Sequence, residues 1–123
     1  MTKKVLIVDD SATVRNQVRE VLSAAEFDVI EAADGVEGAE TINRLSDLAA
    51  VVLDVNMPRM NGLEMLELIK KEPRHSLLPV VMLTSEGQQE LVQRAKAAGA
   101  KGWIVKPFKP ALLLAAIRKL TAT

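Results

Sequence analysis

Five polar groups occupy the same kind of place along this 123-residue chain, each directly after a short apolar run. Asp9 and Asp10 follow Val5-Leu6-Ile7-Val8, and Asp54 follows Ala50-Val51-Val52-Leu53. Thr84 follows Val80-Val81-Met82-Leu83, and Lys106 follows Ile104-Val105. Three carboxylates brought together repel, and at neutral pH they cannot all stay ionised without compensation. Lys106 offers one positive charge, and a divalent hard cation cancels the remaining two. Oxygen-only donors with no His or Cys nearby favour magnesium, or manganese, over zinc. Magnesium keeps several waters and takes phosphate oxygens, which points to a phosphoryl substrate. A strand-end aspartate can itself be the nucleophile and form an aspartyl phosphate, with metal and lysine neutralising charge on the transferred group. Asp54 is the candidate reacting group, and Thr84 a candidate hydrogen-bond donor to a phosphoryl oxygen.

This chemistry requires elements that bring the five groups to one place. The run ending at Asp54 reads as a central strand covered on both faces, and in open parallel sheets ligands bind beyond the carboxyl ends of the strands. Val5 to Val8, the weaker edge run Phe27 to Ala32, Pro79 to Leu83 and Gly102 to Val105 supply four more strands. Between them the apolar period lengthens to that of helices. Val14, Val18, Val21 and Leu22 face inward from the first helix, with Arg15, Arg19 and Glu20 outside. Val36, Ala39, Ile42 and Leu45 form a thin stripe on the second; Leu63, Leu66 and Ile69 serve the third. Leu91, Val92, Ala95 and Ala98 line the fourth, stopped by Gly99, and Leu112, Leu113, Ala116, Ile117 and Leu120 line the last. Capping-box spacings at Asp34 to Glu37, Asn61 to Glu64 and Ser85 to Gln88 mark three helix starts. Five strands alternating with five helices predict one α/β domain over residues 1–123. Right-handed crossovers make it a doubly wound five-stranded parallel sheet, flavodoxin-like, of order 2-1-3-4-5. In that order strands 1 and 3 lie roughly 4.8 Å apart, so Asp9, Asp10 and Asp54 share a pocket, with Thr84 and Lys106 on the same rim.

The bulk numbers narrow the function classes. Sixteen basic and sixteen acidic residues cancel, which argues against a nucleic-acid or anionic-membrane binder. The absence of cysteine excludes disulfides and thiolate metal sites and fits a reducing compartment. No signal-peptide core or bilayer-length apolar run is present, so a cytoplasmic monomer is expected. One Trp, two Phe and no Tyr leave little for aromatic stacking on a ligand. His75, in the polar stretch Arg74-His75-Ser76, reads as solvated. Met57 and Met60 read as packing or partner contacts.

The chain resembles a response-regulator receiver domain over its full length, most closely the stand-alone chemotaxis-type members. The resemblance is carried by Asp9-Asp10, by Asp54 in Val-Leu-Asp-Val-Asn-Met-Pro followed by Met60-Asn61-Gly62, by Thr84, and by Lys106-Pro107-Phe108. The strand order reasoned above is itself the known order of a chemotaxis receiver, so fold and family are one expectation and not two. The resemblance implies that Asp54 accepts a phosphoryl group from a phosphohistidine on a sensor histidine kinase or phosphotransfer protein. It implies magnesium ligation by Asp10 directly, by Asp9 mainly through water, and by Asn56 through its backbone carbonyl, with Asp54 itself the fourth member of the metal set. Lys106 pairs with the acid and then with the phosphoryl oxygens, and Lys106-Pro107 is expected to be cis. Thr84 then biases a surface of helix 4, strand 5 and helix 5 that controls a downstream protein target. With no output domain after residue 123, the expected output is a changed binding face.

Several positions depart from the family pattern. Trp103 stands where the rotating switch residue is usually Tyr or Phe, and Ser85 where alanine is common. Asn56 and Glu86 hold positions that tune aspartyl-phosphate hydrolysis. The competing readings are a magnesium-dependent phosphohydrolase of haloacid-dehalogenase type, which would want an aspartate where Asn56 stands, a receiver domain excised from a larger regulator, a flavin carrier, and an interaction module with an idle acid pocket.

Overall fold

The computed structural model describes residues 2–57, 60–85 and 89–122. The Pro58-Arg59 part of the loop after the third strand, and the expected tuning residue Glu86 and cap partner Gln88, lie outside the described residues. The elements run β1 (Lys4–Val8), α1 (Ala12–Ala24), β2 (Asp28–Ala32), α2 (Gly35–Arg44), β3 (Leu48–Leu53) and α3 (Gly62–Lys70). A 3₁₀ turn (Pro73–His75), β4 (Val80–Thr84), α4 (Gln89–Ala97), β5 (Gly102–Val105) and α5 (Pro110–Thr121) complete them. The sheet order is β2-β1-β3-β4-β5, with every pairing parallel.

The three inner strands are apolar along their length because both faces are covered. Val5 to Val8, Ala50 to Leu53 and Val80 to Leu83 are all fully buried. Alternation along each strand divides them between two cores. Leu6, Val8, Val51, Leu53, Val80 and Met82 pack with Ile42, Leu63, Leu66, Ile69 and Ala95 from α2, α3 and α4. Val5, Ile7, Ala50, Val52, Val81 and Leu83 pack with Val18, Leu22, Leu113 and Ile117 from α1 and α5. The helix starts follow their caps. Ser11 Oγ accepts from Val14 N, Asp34 from Glu37 N, and Asn61 and Glu64 complete a reciprocal capping box, each cap contributing about 1 kcal/mol.

Four expectations need correction. Leu112 is 55% exposed, while Leu113 and Ile117 fill the α5 face; α5 is apolar nearly all round at its start, so periodicity could not choose among its leucines. On α2 the buried set is Gly35, Gly38, Ala39, Thr41 and Ile42, with Val36 and Leu45 only half-buried. Gly38 brings that helix so close to the sheet that a Cβ there would lie 3.0 Å from Val8. His75 is not solvated: it is 7% exposed, and its Nδ1 is buried without a partner among the described residues. The 3₁₀ turn folds its ring inward, and Lys70 Nζ fastens the segment by donating to the carbonyls of His75, Ser76 and Leu78. Arg15 is not an outward charge either; its contacts belong to the site below.

Candidate phosphoacceptor site

The parallel ladder carries two acids side by side past the ends of β1 and β3. Val8 pairs with Leu53; Asp54 N then donates to Val8 O at 2.9 Å and Asp9 N to Ala32 O at 3.1 Å. Asp9 is fully buried, Asp54 is 3% exposed, and Asp10 is exposed. The three carboxylates each present an oxygen within 4.8 Å of the others. Lys106 reaches across from the end of β5. Its Nζ donates to Asp9 Oδ2 at 2.7 Å and lies 3.4 Å from Asp54 Oδ1. The Lys106-Pro107 peptide is cis, as the resemblance implied.

Electrostatics follow from this crowding. Burial is the main cause that pushes the Asp54 carboxyl up to about 6, the Asp9 charge adds to it, Lys106 partly offsets both, and Asp10 contributes a little more. Burial works against the Lys106 ammonium, but Asp9 and then Asp54 hold its proton above the ordinary lysine range. Three acids against one ammonium leave two negative charges. The donor set fits magnesium: all oxygen, with no His or Cys among the described residues that cluster there. With oxygens within 4.8 Å of one another, the three carboxylates are close enough to gather around one such ion, directly or through water.

Thr84 and Trp103 lie one and two strands away from Asp54. Thr84 ends β4 fully buried, opposite Val105, and its carbonyl accepts from Lys106 N at 2.7 Å. Trp103 pairs with Met82, so strand alternation puts it on the same sheet face as Thr84. The indole packs inward against the α3 and α4 core, and its Nε1 is buried without a partner among the described residues. The larger ring therefore does fit there. Asn56 is exposed in the loop two residues beyond Asp54.

Two residues to which the sequence reading gave no role at the acids lie against them. Gly62 opens α3 directly under the acid: a Cβ there would sit 1.9 Å from the Asp54 carbonyl oxygen. Only the glycine immediately after the Asn61 cap hinted at such an approach. Arg15, in the second turn of α1, donates from Nη1 to the Asp9 carbonyl at 2.6 Å and from Nε to Glu31 Oε1 at 3.0 Å. Arg19 forks onto Glu31 Oε2 from Nε and Nη2. Burial alone would raise the Glu31 pKa, but Arg19 and Arg15 together bring it below the usual carboxylate range. Helical periodicity marked both arginines as outward and said nothing of β2 beside them.

Comparison with known proteins agrees with this geometry. Residues 5–118 match the family described as response regulator receiver domain. Chemotaxis protein CheY1 of Helicobacter pylori is 40% identical over 111 residues, which are 89% of this chain and 90% of that protein. The fold superposes on Vibrio cholerae chemotaxis protein CheY4 with a TM-score of 0.91 at 38% identity, over 98% of this chain and 99% of that one. It also superposes on a chain from the Borrelia burgdorferi CheX-CheY complex with BeF3 and magnesium, with a TM-score of 0.89 at 32% identity, over 96% and 88%. No helix among the described residues is long and apolar enough to cross a membrane. Sequence, strand order and gathered acids agree: the chain belongs to the response regulator receiver domains, as a two-component phosphoacceptor of the CheY type.

Proposed function

We propose that residues 1–123 act as one receiver unit in which Asp54 takes the phosphoryl group from a phosphohistidine of a sensor kinase or phosphotransfer protein. The observation that carries this reading is a buried carboxylate at a strand end, 3.4 Å from an ammonium group and clustered with two further acids. A carboxylate oxygen of Asp54 attacks phosphorus, and the bond from phosphorus to the imidazole nitrogen breaks. The electron pair stays on that nitrogen, which takes up a proton, and the product is an acyl phosphate. With its pKa at about 6, Asp54 is mostly ionised at neutral pH, as a nucleophile must be. Asp10, Asp9 and the Asn56 carbonyl would hold magnesium, which supplies positive charge to the phosphoryl oxygens. That a Borrelia burgdorferi CheY was obtained with BeF3 and magnesium supports the choice of ion.

Lys106 would exchange its contact with Asp54 Oδ1 for a phosphoryl oxygen, and Thr84 would donate to another. Thr84 and Trp103 share a sheet face that α4 covers, so movement of one changes the space available to the other. The affected surface of α4, β5 and α5 already exposes Val105 at 48% and Leu112 at 55%, apolar ground on which a protein target can dock. The protein is then a switch whose own chemistry is limited to its phosphorylation and dephosphorylation, working as a cytoplasmic monomer without nucleic acid.

Intact-mass measurement during incubation with acetyl phosphate tests the chemistry. The expected result is a gain of one phosphoryl group that requires magnesium and is lost in Asp54→Asn. Tryptophan emission reports on Trp103 alone, since it is the only tryptophan. Labelling of Asp54→Asn as fast as the wild type would overturn the assignment. Labelling of the wild type with no change in emission would retain the chemistry and remove Trp103 from the switch.

A further inference from the structure

The oxygens of Asp9 and Asp10 are held very unequally. Asp9 Oδ1 accepts from Ser11 N at 2.9 Å, Oδ2 accepts from Lys106, and its main-chain oxygen accepts from Arg15 at 2.6 Å. The exposed Asp10 carboxylate has no such hydrogen bond among the described residues, so its position depends on the backbone that carries it. That backbone is the Asp9-Asp10 peptide, and the carbonyl of this peptide is the one Arg15 grips. Arg15 is fixed in turn: its Nε lies on Glu31 of β2, and Arg19 anchors the other Glu31 oxygen. The chain of contacts runs from α1 through β2 to the peptide whose orientation aims Asp10.

We infer that Arg15 is a positioning residue for the divalent-cation site, acting through the Asp9-Asp10 peptide, with Glu31 orienting Arg15. The inference rests on the reading of the acid cluster as a magnesium site. It differs from a charge effect in sign. A guanidinium beside a cation site repels the cation, so on charge alone removing it would tighten magnesium binding. Removing a positioning contact weakens it, and such outer contacts typically govern about 10- to 100-fold in metal affinity.

The test is calorimetric titration of the full chain with magnesium chloride, alongside urea unfolding of the metal-free protein. Arg15→Gln is expected to weaken magnesium binding about tenfold. Arg15→Lys keeps the charge but cannot span Asp9 and Glu31 together, and is expected to weaken binding nearly as much. Glu31→Gln, which leaves every group near the acids in place, is expected to weaken binding about threefold and keeps the test open should an Arg15 variant fail to fold. Unchanged or tighter binding in Arg15→Gln, or wild-type binding in Arg15→Lys, would overturn the inference while leaving the metal site intact. A wild-type protein that binds no magnesium overturns the reading of the acid cluster, and this inference falls with it. A loss of unfolding stability without a loss of affinity reduces Arg15 to a structural role and likewise overturns it.

Discussion

Replacing Asp54 by asparagine removes one charge from a pocket that holds too many. The carboxyl is nearly isosteric with the amide, so packing changes little and the difference reports on electrostatics. Burial and the Asp9 charge raise the Asp54 pKa from 3.8 to about 6. A shift of roughly two units at 1.36 kcal/mol each corresponds to about 3 kcal/mol of differential stability. For an acid whose folded pKa is raised, the stability is fully present below the unfolded value and is lost as pH climbs through the folded one. The metal-free wild type therefore loses about 3 kcal/mol between pH 4 and pH 7 from this group. Asparagine does not titrate and escapes the loss. The 3.4 Å contact with Lys106 that asparagine gives up is already counted in that value, because Lys106 lowers the Asp54 pKa, and Lys106 keeps Asp9 at 2.7 Å.

The net expectation is that Asp54→Asn is about 3 kcal/mol more stable than the wild type at pH 7.5 in a chelator. That is about 1.5 M in urea midpoint at an m-value near 2 kcal/mol per M. At pH 4 the gain vanishes. Magnesium raises the wild-type midpoint by preferential binding to the folded state and raises that of the variant less. Urea unfolding at the two pH values, with and without magnesium, reads all four quantities. A variant less stable than the wild type at pH 7.5 without metal, or a gain that persists undiminished at pH 4, would refute the account of Asp54 as a charge held in the pocket at a cost.

Other substitutions report on neighbouring parts of the site. Lys106→Ala removes the cation from the fully buried Asp9 and from Asp54, and breaking a buried pair of this kind costs about 3 kcal/mol at pH 7.5. The cost shrinks at pH 4.5, where Asp54 is protonated, which unfolding curves at both pH values will show. Gly62→Ala drives a methyl group into the Asp54 carbonyl, 1.9 Å from its oxygen, so the α3 start must shift. A loss of about 3 kcal/mol in thermal unfolding is expected, with slower labelling by acetyl phosphate. Asn61→Ala removes the side chain that accepts from Glu64 N at 2.9 Å and should cost about 1 kcal/mol, with labelling retained.

The strands were legible because burial on both faces leaves no room for polar residues until the chain leaves the sheet. The acids at Asp9 and Asp54, the hydroxyl at Thr84 and the ammonium at Lys106 mark those exits, and the rules for crossover handedness then bring them to one rim. The Asn61 capping box was legible because its partners are three residues apart. What escaped depends on neighbours remote in sequence. Arg15 and Glu31 are sixteen residues apart and meet because α1 packs beside β2. His75 is polar in a polar stretch, yet the carbonyls around it satisfy Lys70 and turn the ring inward. Gly38 and Gly62 matter for what they lack, and a missing side chain leaves no periodic trace.

The cost carried by the acid cluster and the work proposed for it are two sides of one quantity. Moving a two-state surface from about one per cent occupancy to ninety-nine requires roughly 5.5 kcal/mol of differential binding. A metal-free pocket that holds Asp54 at a cost of about 3 kcal/mol stores a share of that requirement in the resting state. Converting the carboxylate to an acyl phosphate removes the charge on the Asp54 oxygens and moves negative charge outward, where Lys106, Thr84 and a bound cation can meet it. Trp103 is the proposed counterpart on the output side: a buried indole N–H without a partner among the described residues costs of the order of 1 to 3 kcal/mol, which a new acceptor would return. A pocket relaxed from the start, with Asp54 neutral or fully paired, would be more stable and would have less free energy to pass on. Asp54→Asn is therefore expected to make the fold firmer and the switch silent, and the two effects have a single electrostatic cause.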